Sequence, residues 1–153
     1  MIEAQSPPAN APAPIWSIAI VALLPFLISA AVYVYGPETI AYKGLTSILA
    51  WSTVVLSFLG GVRWGLESAR PEPRALRLAI STVSSVAAWL LLLMRSGLGS
   101  TWTLVGFLAA FLVQWLFDHT APDVPARYPR LSTTLTAGAC LSLAMALEKA
   151  LRM

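Results

Sequence analysis

Apolar residues along this chain fall into five long blocks, separated by short connections rich in proline, glycine or charge. The blocks run from Ile15 to Tyr35, from Gly44 to about Val62, from about Leu76 to Met94, from Thr101 to Phe117 and from about Leu131 to Leu147. Each is roughly 17–21 residues long, close to the ~20 that an α-helix needs to cross a ~30 Å hydrocarbon core. Polar residues do not return every three or four positions inside the blocks, as they would on the wet face of a soluble helix. In lipid the backbone groups of each block must find partners within the block, which dictates helix. The pattern predicts an all-α polytopic integral membrane protein with five transmembrane helices in a compact bundle.

The connections are short. Gly36-Pro37-Glu38 ends the first helix, Pro71 and Pro73 punctuate the second connection, and Ser96-Gly97-Leu98-Gly99-Ser100 reads as a tight turn. The stretch DHTAPDVPARYPR holds three prolines and is expected to be extended. Residues 1–14 form an expected disordered Pro/Ala-rich tail, and residues 15–150 a single five-span domain. The tail has no Lys or Arg. It therefore lacks the basic region of a secretory signal, and the first block is expected to stay as an anchor.

Composition narrows the function classes. Only 11% of residues are charged, against about one quarter in a soluble domain, so a soluble fold could not cover its surface. The net charge is +3, and the basic residues form no cluster interleaved with aromatics, which argues against nucleic-acid binding. One cysteine, Cys140, and one histidine, His119, exclude a zinc site of several Cys and His ligands and a haem held by two histidines of this chain. No metal and no cofactor is expected. Just two of the ten basic residues are lysine and alanine is abundant, a bias that points to a bacterial source of high GC content and hence to an inner membrane.

Charge also bears on orientation. Arg63, Arg70, Arg74, Arg77, Arg127 and Arg130 fall on the side of the N-terminus, and Lys43, Arg95, Lys149 and Arg152 on the other. The excess predicts an N-terminus in the cytoplasm.

Small residues mark expected helix contacts. Ser57, Gly61 and Gly65 recur every four positions, on one helix face, and so do Thr134, Gly138 and Ser142. Such stripes let helices approach closely in a membrane. The expectation is packing within the chain, with contact to another protein as the alternative. Gly60 is rotated by about 100° from Gly61 and is expected to matter less. Pro25 should bend the first helix.

The second and fourth blocks end on the same side, which could bring Arg63, Glu67, Gln114, Asp118 and His119 to one membrane face. Three readings apply: groups that snorkel into headgroups, a structural clasp between helices, or a site for a ligand, proton or quinone. Asp118 is the expected partner of Arg63, with Glu67 or Gln114 as alternatives, because a planar guanidinium suits a carboxylate. No nucleophile elbow, phosphate loop or metalloprotease motif is present, so catalytic residues are not assigned and an enzyme is not expected.

The stretches LLPF, LSFLGGVRWGLE and QWLFD…PARYPRLSTTLT resemble the family called domain of unknown function 3429, which includes the transmembrane protein 69-like proteins and has bacterial and mitochondrial members. The resemblance runs from about Ile15 to Leu147. Its motif maps onto Pro25, Phe58, Gly60, Gly61, Trp64, Gly65, Gln114, Asp118, Tyr128 and Leu135. It implies the five-span fold and carries no activity with it. Two functions follow as expectations. One is a non-catalytic accessory or assembly subunit of a larger respiratory or photosynthetic membrane complex, with lipids and other membrane subunits as partners. The other is a small transporter or a lipid- or quinone-binding protein that uses the polar cluster.

Overall fold

The computed structural model describes residues 13–120 and 128–153. Residues 1–12 of the expected tail and residues 121–127 of the proline-bearing loop lie outside the described residues, while Ala13 and Pro14 already belong to a helix. Five α-helices make up the described chain: α1 Ala13–Tyr35, α2 Glu38–Ser68, α3 Ala75–Leu93, α4 Arg95–Thr120 and α5 Tyr128–Arg152. Four of them, α2 to α5, are long and apolar enough to cross a membrane. These are the elements of a multi-pass helical membrane protein.

Local chemistry sets the ends. Gly36 and Pro37 separate α1 from α2, and Glu38 places a carboxylate in the first turn of α2, where the helix dipole favours it. No proline interrupts the next 31 residues, so α2 runs for about 46 Å and overshoots a ~30 Å core. The overshoot carries Arg63 and Glu67 beyond the apolar block. The expected tight turn at residues 96–100 is instead a short helical turn, with Gly97 and Leu98 N–H groups on the Met94 carbonyl. It is broken by Gly99 at φ 75° and ψ 169°, backbone that a side chain would strain.

Helix α2 touches all four other helices, and the chain closes a ring in the order α1, α2, α3, α4, α5 and back to α1. The interior is apolar: Phe26 of α1, Leu49 and Leu56 of α2, Phe107 and Phe111 of α4 and Leu143 of α5 are fully buried. Phe26 and Phe111 meet edge to face at 6.0 Å, the arrangement the ring quadrupole favours. Large apolar side chains also point outward, among them Val83, Val86 and Trp89 on α3. A bilayer solvates such a surface, whereas on a soluble protein it would form an aggregation patch. Between α1 and α2, Ser29 donates to Ser47 at 2.9 Å. The Trp51 indole donates to the Ala22 carbonyl at 2.9 Å, one residue on from the Val21 carbonyl whose helical donor Pro25 removes.

The close approaches correct one expectation. A Cβ added at Gly60 would lie 2.5 Å from the Ser81 carbonyl oxygen of α3, and one at Gly44 would lie 2.5 Å from the Tyr33 nitrogen of α1. At Gly61 and Gly65 it would meet nothing within 4 Å among the described residues. Among the described residues the packing glycines of α2 are therefore Gly44 and Gly60, not Gly61 and Gly65. The reason is the direction of the whole apolar stripe. Leu56, Leu59 and Gly60 are buried, and Arg63 and Glu67 continue that stripe, whereas Val54, Phe58, Gly61 and Gly65 share the outward face. Ser57 is half-buried at its edge. On α5, Gly138 faces Leu23 of α1, Ser142 is fully buried and Thr134 is half-buried, its hydroxyl on the Arg130 carbonyl.

Candidate functional site

The polar ends of α2, α3 and α4, with the start of α5, converge on one end of the bundle. Asp118 lies two residues before the end of α4 and is fully buried. One carboxylate oxygen takes Arg63 Nη1 at 3.1 Å and Gln114 Nε2 at 3.0 Å, and the other takes the Ser132 hydroxyl of α5 at 2.5 Å. The same Arg63 nitrogen donates to the Phe117 carbonyl in the last turn of α4 at 2.6 Å. A cation here also offsets the negative end of the helix dipole, which a lone Asp118 would aggravate. Four elements of the clasp thus come from three helices. Asp118 and Gln114 are one turn apart on α4, Arg63 reaches in from α2, and Ser132 comes from the first turns of α5.

Glu67 does not join this clasp. It is buried one turn beyond Arg63 and holds the connection to α3. Its carboxylate accepts the Arg74 backbone N–H at 3.0 Å and pairs with Arg70 Nε at 3.2 Å and Arg77 Nη1 at 3.7 Å. Arg74 is the residue that caps the start of α3, so Glu67 stands in for the side-chain cap that this helix lacks. His119 is also apart. Its neighbour Asp118 points inward while the histidine is exposed, as a rotation of about 100° per residue requires. Its ring lies 4.4 Å from that of Trp115, and Nε2 is 3.4 Å from the Thr133 hydroxyl, which accepts the Trp115 indole N–H at 3.1 Å. Of the five residues expected to converge, Arg63, Gln114 and Asp118 come together, Glu67 serves an adjoining cluster and His119 faces outward.

Between the two carboxylate clusters lies a cavity of about 200 Å³. Arg63, Arg77 and Gln114 line it, with Ile80 and Phe117 as its apolar wall and Ser81 and Thr120 at its edge. A second cavity, about 330 Å³ and lined by apolar side chains such as Trp51, Val55 and Phe58, opens between α1, α2 and α5. Sequence reasoning passed over Arg77, Ser81 and Ser132 as members of the site. Arg77 had a usable signal, since it is the third residue of a helix that starts on the side where α2 ends. Among the described residues, no three His, Cys, Asp or Glu side chains lie together as metal ligands.

A family model described as Protein of unknown function (DUF3429) matches residues 11–148. Transmembrane protein 69 from Xenopus tropicalis is 32% identical over 142 residues, a match that covers 88% of this chain and 53% of that protein. The chain therefore spans about half the length of that curated relative. No solved structure matches the chain.

Proposed function

The chain belongs to the DUF3429 family, and from that footing we propose that it is a five-span protein of a bacterial inner membrane that works as a non-catalytic accessory or assembly subunit of a larger membrane complex. The fifth span of this reading is α1. Its 23 residues extend for about 34 Å, enough for a ~30 Å core. The N-terminus would be cytoplasmic, by the excess of arginine around the end of α2, the start of α3 and the start of α5.

The observation that carries the accessory role is the outward face of α2. Gly61 and Gly65 are exposed with open space beyond them. A glycine pair one turn apart lowers helix propensity by about 1 kcal/mol per residue relative to alanine, and among the described residues no side chain or backbone fills the space it leaves. Small residues in that spacing suit a second helix at close range.

Purification of the full chain in mild detergent, with Gly61→Leu beside it, tests the role. The expected result is a stoichiometric membrane partner that co-purifies with the unaltered chain and is lost from the variant, while the melting temperature stays within about 2 °C, the shift of a surface change of ~0.5 kcal/mol. A free monomer under every growth condition removes the accessory reading. A second reading, ligand binding at the polar cluster, is favoured by the cavity between Arg63 and Arg77.

A further inference from the structure

We propose that the apolar cavity between α1, α2 and α5 holds an acyl chain of an anionic phospholipid, whose headgroup docks on Arg130 at the start of α5. The proposal rests neither on the accessory role nor on the polar cluster of α2, α3 and α4.

The first argument is the shape and chemistry of the cavity. Its volume of about 330 Å³ is near the lower end of the ~300–1,000 Å³ of small-molecule pockets. The α2 wall is one stripe, Trp51, Val54, Val55 and Phe58, which covers two helical turns, about 10 Å along the axis. The α1 wall is Ala19 and Ala22, and their short side chains are what leave the space. The Trp51 indole N–H, the polar group of these side chains, donates to the Ala22 carbonyl at 2.9 Å and is not offered to a ligand. Val54 and Phe58 are about half exposed on the outer surface, so the groove opens sideways to the bilayer. A narrow hydrocarbon chain suits such a groove and restores the dispersion contacts that empty space forfeits.

The second argument is charge at the mouth. Leu131 and Leu135 form the α5 wall, one turn apart, with Leu131 nearer the start of the helix. Arg130 directly precedes Leu131 and is exposed. It shares a stripe with Thr134 and Gly138, and Gly138 faces Leu23 of α1, so Arg130 stands on the α1 side of α5. Leu23 meets Gly138 and Tyr33 meets Lys149, so α1 and α5 run parallel and begin at the same end. Both present a positive dipole end there, and neither has an acidic residue in its first turn. Arginine has the wrong sign for a first turn, and among the described residues no carboxylate pairs with Arg130. An anionic phosphate answers the two dipole ends and matches the guanidinium fork. Its acyl chain then runs from the level of Leu131, Ala19 and Phe58 down to that of Leu135, Ala22 and Trp51.

Native mass spectrometry of the full chain, released from detergent after incubation with phosphatidylglycerol or phosphatidylcholine of the same acyl length, tests this. Retention of phosphatidylglycerol over phosphatidylcholine is expected. Arg130→Gln should weaken phosphatidylglycerol about fivefold, the effect of one basic residue near an anionic surface, and leave phosphatidylcholine unchanged. Ala22→Leu, which fills the groove, should weaken both lipids, and Val83→Leu, on the exposed face of α3, should weaken neither. Equal retention of the two lipids on the unaltered chain overturns the proposal without recourse to any variant. So does an Ala22→Leu chain that keeps both lipids, since the acyl chain then lies elsewhere. If Ala22→Leu fails to fold, Val54→Trp at the exposed rim blocks the mouth and is read in the same way. A stoichiometric protein found in place of the lipid, whether a second copy or another chain, and lost on filling the groove, overturns the proposal in favour of a partner helix.

Discussion

Arg63 of α2 and Asp118 of α4 meet at 3.1 Å, and the two are not equally sheltered: the aspartate side chain is fully buried while the arginine side chain keeps 19% of its surface exposed. The pair joins two helices that have few other polar contacts between them. Its value lies in what each partner would leave behind. Loss of the arginine strands a carboxylate among Gln114 and Ser132, whereas loss of the aspartate frees a cation that can reach the headgroups.

An asymmetric mutational response follows. Arg63→Ala should cost about 3 kcal/mol, the lower end for breaking a buried pair, because one partner is partly exposed. Asp118→Asn should cost about 1 kcal/mol, since an amide still accepts from Ser132 and the arginine relocates. The double change should cost less than Arg63→Ala alone. Thermal melting of the purified chain in detergent reads all three. Equal single costs that add in the double variant would mean the two side chains do not interact.

The glycines of α2 give a second contrast. Gly60→Ala places a methyl group 2.5 Å from a backbone oxygen and 2.5 Å from the Ser84 hydroxyl of α3, and helices must part to admit it. Gly44→Ala does the same against the α1 backbone. Each should destabilise by about 1–3 kcal/mol, as overpacking does. Gly61→Ala and Gly65→Ala should be neutral or stabilising by up to about 1 kcal/mol through helix propensity. The order of melting temperatures across the four variants checks this.

The glycine result also shows how far the sequence could be read. The apolar blocks, their helical state and the Arg63–Asp118 pair were legible, because block length, lipid and the side on which α2 and α4 end leave few alternatives. The packing face of α2 was misjudged because small-residue spacing marks a face without saying where it points. Direction is set by the full stripe from Leu45 through Ser52, Leu56 and Gly60 to Glu67, which the evenly apolar background of a membrane helix hides. Glu67 was misplaced for a related reason. It sits one turn past Arg63, but the connection turns back at Pro71 and Pro73 and brings Arg74 and Arg77 to it. That return depends on loop geometry, which residue spacing does not encode.

Glu67 should therefore govern the α2–α3 connection rather than the α2–α4 contact. Glu67→Ala removes the acceptor of the Arg74 N–H and the partner of two guanidiniums, and a cost of about 2 kcal/mol is expected for a buried, multiply bonded group. Glu67→Gln keeps the acceptor for Arg74 and should cost less. Hydrogen exchange separates this from general instability. The Arg74 amide should lose protection in Glu67→Ala while the amides of Gln114 and Asp118 keep theirs. A uniform loss across both regions would assign Glu67 to the whole fold.

At the other end of the bundle, Lys149 should lock α5 to α1. Its ammonium donates to the Tyr33 carbonyl at 2.6 Å and to the Val34 carbonyl at 3.3 Å, and it lies 5.2 Å from the centre of the Tyr33 ring. Both carbonyls belong to the last turn of α1, where no helical donor remains and the dipole is negative. One cation on a neighbouring helix meets both needs, and α1 has no basic residue of its own in that turn. Lys149→Met keeps the length and apolar stem of the side chain and removes the charge. It should cost about 1–3 kcal/mol, the range for a hydrogen bond from a charged donor with a partly shielded cation–π contact beside it. Lys149→Arg should recover much of this. The cost should be local, with faster exchange of the amides at the end of α1 and no change at Asp118. A methionine variant that melts with the unaltered chain would show that water or headgroups cap α1 equally well.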